Sequence, residues 1–401
     1  MAVATPRLRP FWRPVRTDDA HRPTMLELFF DVVYVYAFTQ VSGIIIHTST
    51  EVGVLQALVM LGLLWWTWSN AGWFANQTRA DIGFARAGLL TTMAVVLVMS
   101  LSIGDAYSET PGINEAALVI AAGFFVVRVI LGVTYIAAAG DDTALRRQVI
   151  RSMVSATLPS TALLVTGALV GGVAQTIMWA GAFILDALII YATSVRGNWR
   201  IHSAGHFTER HALVVILALG ESVVAIGTST QNSTLSPLLV GAVVLAFVLS
   251  VALWWAYFGR LYSATGRALA ATRGARRSRM GMEAYTYLHL PLIAGIIITA
   301  AGVEAVVAHP ESDTLGLFWA LCLFAGAATY LLASAFVWHR EVRTWPAVRI
   351  GAGAVLLGLA FVAQWLPALA SLALVVVTLG VMLAGERYLG SAEPAEAPES
   401  V

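Results

Sequence analysis

Charge is what this sequence has least of. Aspartate, glutamate, lysine and arginine make up 12% of the 401 residues, hydrophobic residues 58%, and the mean hydropathy is +0.77. A soluble domain carries about 25% charged residues, and a chain of this length would still have a polar surface to cover. Lipid is the solvent that tolerates such a composition, so a soluble globular fold is excluded. Lysine is missing altogether, and every basic residue is arginine, a bias of composition with no functional content. The single cysteine, Cys322, excludes an intrachain disulfide and a cysteine-rich metal site. The first twenty residues hold arginines but no apolar core ending in a small-residue cleavage site, so no cleaved signal peptide is expected. Phosphate-loop, G-x-S-x-G and H-E-x-x-H motifs are all absent from the chain. No cofactor is called for.

What is present is a series of long apolar runs. A spanning helix needs about 20 mostly apolar residues. The runs predict twelve, near 25–47, 53–74, 83–103, 115–139, 149–171, 173–194, 208–229, 236–258, 281–308, 314–338, 346–365 and 367–388. The close pairs meeting at 171–173 and 365–367 read either as helical hairpins or as single broken segments. The fold class is therefore an all-α polytopic membrane protein, with the bilayer as its first partner.

Arginine placement orients these helices. Arg7, Arg9, Arg13, Arg16 and Arg22 precede the first. Further clusters fall in every second connection: Arg79, Arg146 with Arg147, Arg196 with Arg200, the run from Arg260 to Arg279, and Arg340 with Arg343. The alternate connections carry Glu51, Asp105, Glu109, Glu311 and Asp313 instead. Positive charge stays on the cytoplasmic side of short loops. The alternation fits twelve spans with both termini in the cytoplasm of a bacterial inner membrane. The basic stretch 260–279 reads as a contact for anionic lipid, and no folded module suggests nucleic acid.

The two halves resemble each other. "WWTWSNAGWFANQTR" at 65–79 resembles "WWAYFGRLYSATGR" at 254–267, and each half opens on a helix with an early carboxylate, Glu27 and Glu209. Six helices per half gives both the same orientation, so two parallel six-helix repeats are expected. The chain divides into an Arg-rich tail at 1–22, halves at 23–200 and 201–389, and a tail at 390–401 with nothing to bury. Both tails are expected to be disordered. The tryptophan-rich helix ends are expected to form interfacial belts rather than a ligand cage.

Charges inside the spans are the candidates for function, because each costs roughly 2.5–3.5 kcal/mol at the bilayer centre unless paired or hydrated. Glu27 and Asp31 are four apart on the first helix, and Gln40 is taken to lie close to the same face. Arg128 is mid-span in the fourth helix, Asp186 is deep in the sixth, and Glu221, followed by Ser222, is deep in the seventh. These seven are expected to line an intramembrane polar cavity, with Asp31 and Glu221 as companions and Arg128 as their counter-charge. His206, Glu209, Arg210, His211, Glu283 and His289 make a second cluster at the cytoplasmic helix ends. His202, His206, His211 and Glu209 have a spacing compatible with a metal, but a solvated loop accounts for them as well, and no metal site is assigned.

The segments "LELFFDVVYVYAFTQVS" at 26–42 and "HFTERHALVVILALGESVVAIG" at 206–227 resemble the paired signatures of the bacterial low temperature requirement A (LtrA) family, with "LLWWTWSNAGWFANQTR" between them. The resemblance covers roughly 20–390. It implies a multi-pass bacterial inner-membrane protein, and it draws attention to Glu27, Asp31, Gln40, His206, Glu209, Arg210, His211, Gly220, Glu221 and Ser222. The family name describes growth in the cold and assigns no reaction. Three functions stay open: a proton-coupled secondary transporter of a small molecule, a membrane-embedded enzyme using His and Glu, and a lipid-responsive protein of low-temperature adaptation.

Overall fold

A computed structural model describes residues 14–108, 113–195, 197, 199–230 and 234–390. The 390–401 tail, apart from Gly390, lies outside them. Twelve helices follow one another: α1 (Met25–Thr48), α2 (Glu51–Gln77), α3 (Gly83–Leu101), α4 (Glu115–Ala139), α5 (Thr143–Val170), α6 (Gly172–Ser194), α7 (Ala204–Ser229), α8 (Pro237–Ala271), α9 (Gly274–Ala308), α10 (Leu317–Val342), α11 (Ala347–Ala363) and α12 (Ala368–Leu389). Eleven of the described helices are long and apolar enough to cross a membrane, and α11, with 17 residues, is the short one. At 1.5 Å per residue it is about 26 Å long, a little short of a hydrocarbon core of about 30 Å. Among the described residues the only strand-like feature is one isolated bridge between Arg16 and Thr78.

Helix α1 shows why these segments suit lipid. Its buried residues are Glu27, Phe30, Asp31, Tyr34, Ala37, Phe38, Val41, Ser42 and Ile45, with Ile44 beside them. That is a three-and-four spacing, one face of a helix. The opposite face is apolar and exposed, with Phe29 57% and Val32 55% accessible. A soluble helix points its charges outward. This one points both carboxylates inward and offers hydrocarbon to its surroundings.

The two close helix pairs are hairpins. Between α5 and α6 the chain turns at Gly171 and Gly172, whose φ angles of 73° and 59° favour glycine. Between α11 and α12, Leu366 and Gln364 carbonyls accept from Leu315 and Gly316 at 3.0 and 3.2 Å, and Ser312 accepts from Ala368 at 3.0 Å.

The chain forms two compact units. The first holds α1 to α6, α7 as far as Leu217, and residues 269–286. The second holds the rest of α7, α8 to Ala268, α9 from Tyr287, and α10 to α12, with residues 49–51. The grouping by contact therefore divides α7 and α9, whereas the sequence repeat divides the chain at 200/201.

In the first unit residues 14–22 are ordered, which corrects the expectation of a disordered tail over 1–22. Val15 O accepts from Arg79 N at 2.8 Å, and Ser203 Oγ donates to the carbonyls of Asp19 and His21 at 3.1 and 2.9 Å. Residues 1–13 lie outside the described set. In the second unit Arg349 clasps Glu386 through two nitrogens at 2.8 and 2.9 Å and also donates to Ser334 Oγ and Ala256 O. There α9 and α10 approach so closely that a Cβ at Gly295 would stand 2.5 Å from Tyr330 N.

Three of the long helices, α8, α9 and α10, contain π turns that sequence periodicity does not show. In α9 the π turn covers Gly281–Tyr287 and ends four residues before Pro291. Proline removes a hydrogen bond and its ring crowds the carbonyl at i−4, here Tyr287, so the helix must widen or bend there.

Candidate functional site

The first unit contains a buried charge network. Its foundation is the start of α1, where Thr24 and Glu27 form a capping box: Thr24 N donates to Glu27 Oε1 at 3.1 Å and Glu27 N to Thr24 Oγ1 at 3.4 Å. This holds the second oxygen, Oε2, toward α7, where His206 Nε2 lies 2.7 Å away and Arg210 Nε 3.5 Å away. Arg210, 1% exposed, donates to Asp31 Oδ2 at 2.8 Å and to Glu27 O at 2.7 Å. Asp31 Oδ1 accepts from Trp68 Nε1 at 2.8 Å. The guanidinium sits between the Phe30 and Trp68 rings, 5.9 and 5.5 Å from their centroids. One arginine thus serves two carboxylates, and hydrogen bonds from His206, Thr24 and Trp68 complete their shells.

The tautomer of His206 follows from its neighbour. Asn76 Oδ1 accepts from His202 N at 2.7 Å, and its Nδ2 donates to Ser203 O at 2.7 Å, which fixes the amide orientation. That same Nδ2 faces His206 Nδ1 at 3.1 Å, so Nδ1 accepts and Nε2 carries the hydrogen that goes to Glu27. His21, Glu27 and His206 are close enough to share a metal ion. A metal on His206 Nε2 would move the hydrogen to Nδ1, against the amide hydrogens of Asn76, so the donor chemistry fits a hydrogen-bonded pair better than a ligand set. Burial holds the His21 imidazole below its ordinary value of 6.5.

A second feature of the first unit is a cavity of about 100 Å³ with Arg128 in its wall. Arg128 sits at the centre of α4. Its Nη2 donates to Asp186 Oδ1 on α6 at 3.0 Å, and its Nε to Thr157 Oγ1 on α5 at 3.1 Å. The pair is 4% and 0% exposed. At the other extreme the lining includes Ser194, Val195, Ala275 and Arg279, residues at helix ends, and Arg279 is half exposed. The cavity therefore runs from the arginine-rich helix ends inward to the buried pair.

These two features involve both stretches that the sequence singles out, together with the tryptophan-rich end of α2. A family model, described as bacterial low temperature requirement A protein (LtrA), matches residues 22–384. The chain belongs to the LtrA family. A similar chain is an uncharacterized protein, RA0937, from Rhizobium meliloti (strain 1021), 27% identical over 345 residues, which cover 82% of this chain and 80% of the relative. No solved structure matches.

Against this LtrA geometry several expectations need correcting. The counter-charge of Asp31 is Arg210, and Arg128 is committed to Asp186, so Arg128 does not bridge Asp31 and Glu221. Hydropathy reports how deep a charge lies along its helix and says nothing of which helix it faces. Gln40 is half-buried beside Gly104 and outside the Glu27 network. Thirteen residues at 100° each put it about 140° around the helix from Glu27. Glu221 and Ser222 are buried in the second unit. No described side-chain or neighbouring-helix atom comes within 4 Å of a Cβ built on Gly220.

The six-residue cluster expected at the helix ends is dispersed as well. His206 and Arg210 join Glu27 and Asp31, while Glu209 pairs with Arg22. His211 Nδ1 binds Phe207 O at 2.8 Å among the rings of Trp68 and Tyr285. Glu283 accepts from Arg279 and Tyr191 at 2.8 and 3.1 Å, and His289 meets Tyr257 Oη at 2.9 Å in the second unit. The tryptophans of α2 are not a belt either. Trp65 and Trp68 are fully buried, and Trp66 and Trp73 line the cavity, because α2 is covered on nearly all sides. Trp254 and Trp255, by contrast, are about two-fifths exposed.

Sequence reading missed Asn76, Trp68 and His21. A local signal existed for one part of the site, the T-x-x-E spacing of Thr24 and Glu27.

Proposed function

We propose that this LtrA protein is a proton-coupled secondary transporter of a small molecule in the bacterial inner membrane, with both termini cytoplasmic. The observation that carries the reading is the Arg128–Asp186 pair, buried at mid-helix, whose arginine lines a cavity that extends from the helix ends. Intramembrane ionisable groups facing such a cavity mark ion and substrate pathways. Asp186 is the proton site. The groups that act on it are Arg128 from α4 and Trp66 from α2, with Thr157 of α5 holding the far side of the guanidinium. Proton uptake by Asp186 frees the Arg128 charge for a second partner, and proton release restores the pair. That exchange links solute to proton without leaving a lone buried charge at either stage.

The enzyme reading would place chemistry at His206 and Glu27. Both are fully buried, and their polar atoms are already engaged by protein groups. The parallel repeat remains part of the proposal, with α1 equivalent to α7 and α2 to α8.

Proteoliposomes loaded with a pH-sensitive dye test the transporter reading. Pools of small organic acids, bases and neutral solutes are added outside in turn. At least one pool should drive proton entry with the native protein and none with Asp186→Asn. Correctly inserted protein that moves protons with no pool contradicts the reading. Orientation is tested by reporter fusions after Tyr107, Ala270 and Ser312, expected outside, inside and outside. A periplasmic signal at Ala270 would overturn it.

A further inference from the structure

We propose that the cavity beside Arg128 binds a small monocarboxylate with an apolar or aromatic body, and that one proton is taken up with it. The inference rests on the transporter reading for its role but on separate observations for its chemistry.

Five side chains of the cavity, Trp66, Trp73, Trp199, Arg128 and Arg279, can only donate hydrogen bonds, and its hydroxyls can donate as well. Three lining residues, Tyr135, Trp199 and Ser278, have a buried side-chain polar atom without a hydrogen-bond partner. Tyr135 and Ser278 are only 5% and 7% exposed, so water outside does not satisfy them. An indole N–H donates only, and the hydroxyls donate readily to an anion. Unpaired buried donors are costly, so their gathering on one cavity calls for an acceptor-rich occupant. Two arginines, Arg128 and Arg279, line the cavity, and no carboxylate does. The occupant is therefore an anion.

Its charge and shape follow from the remaining contacts. Arg279 is half exposed at the outer end and paired with Glu283 at 2.8 Å, so the buried Arg128, released when Asp186 takes up a proton, is the one cation left to answer a ligand charge, which fits a monoanion and not phosphate. The rest of the lining is apolar, including Leu131, Val149, Met153 and Ile190. Trp199 meets Tyr135 edge-on at 5.1 Å and Trp73 at 6.4 Å, giving an aromatic wall. A volume near 100 Å³ leaves room for no more than one small organic molecule.

Proton uptake is a matter of charge count. Arg128 now balances Asp186. A bound carboxylate adds a second negative charge beside the same single cation. One proton from solvent onto an Asp186 oxygen restores neutrality, giving one proton bound for each carboxylate.

Benzoate is the probe, with benzamide as its neutral analogue, benzylamine as a cation, inorganic phosphate as a hydrophilic anion and octanoate as a carboxylate of lipid origin. Binding to the purified full-length protein in nanodiscs is followed by tryptophan fluorescence and by calorimetry in two buffers of different ionisation heat. Benzoate should bind at least tenfold more tightly than benzamide, benzylamine or phosphate, more tightly at pH 6 than at pH 8, and with uptake of about one proton. Tyr135→Phe, which keeps the ring, should weaken it severalfold. The double change Arg128→Gln with Asp186→Asn, which leaves no unpaired charge, should weaken it at least tenfold and abolish the proton uptake. Octanoate binding more tightly than benzoate would support the same chemistry with a ligand drawn from the bilayer. Benzamide binding as well as benzoate, or a double variant that binds unchanged, would overturn the proposal. Benzoate that binds with a proton but is not accumulated by proteoliposomes upholds the site and refutes transport. Accumulation of a neutral or cationic solute upholds transport and refutes this substrate class.

Discussion

At the residue scale, two arginines organise the first unit in different ways. Arg210 is shared by Glu27 and Asp31 and is surrounded by hydrogen-bonded neighbours, whereas Arg128 has one carboxylate partner and an adjoining cavity. The first arrangement is closed and the second open, and this contrast separates a structural network from the proposed exchange site. Removing one member of a buried pair leaves an uncompensated charge, at a cost of about 3–5 kcal/mol. Arg128→Gln should therefore lower the thermal midpoint of the protein in nanodiscs markedly, and adding Asp186→Asn should recover most of the loss. A double variant no more stable than Arg128→Gln alone would mean that Asp186 is not the partner. The depth of these charges was legible in the sequence, since Arg128 and Asp186 stand out in apolar runs. Their pairing was not. They are 58 positions apart, and His206 and Glu27 are 179 apart, so no local pattern connects them.

At the scale of elements, helix number and most boundaries could be read from hydropathy because each span repeats one simple requirement, enough apolar length to cross. The π turn ahead of Pro291 and the docked segment 14–22 could not, since both depend on neighbours. Docking of that segment should respond to pH. Burial chiefly holds both His21 and His202 below 6.5. Folding therefore favours their neutral forms. As pH falls, the unfolded chain takes up protons first, so stability from these groups is complete above about 6.5 and is lost as pH drops toward the folded values. Hydrogen exchange, corrected for intrinsic rate, should show residues 14–22 less protected at pH 5 than at pH 7.5. His21→Gln should flatten that difference. Protection that increases on acidification would contradict the assignment.

At the scale of the whole molecule, arginine alternation is the feature from which sequence gives most, because the rule depends on loop composition alone. In the proposed orientation the cavity end bearing Arg279 faces the cytoplasm. A carrier differs from a blind binding pocket in one respect: its site must be reachable from each side in turn. The most direct measurement is the accessibility of a single thiol at the cavity, Met153→Cys, in a chain whose own cysteine is removed by Cys322→Ala. A membrane-impermeant maleimide is applied to one face and then the other of oriented vesicles, at pH 6 and pH 8. The account predicts labelling from both faces, in proportions that shift with pH, and loss of that shift with Asp186→Asn. Labelling from one face only, at the same rate at both pH values, would contradict it.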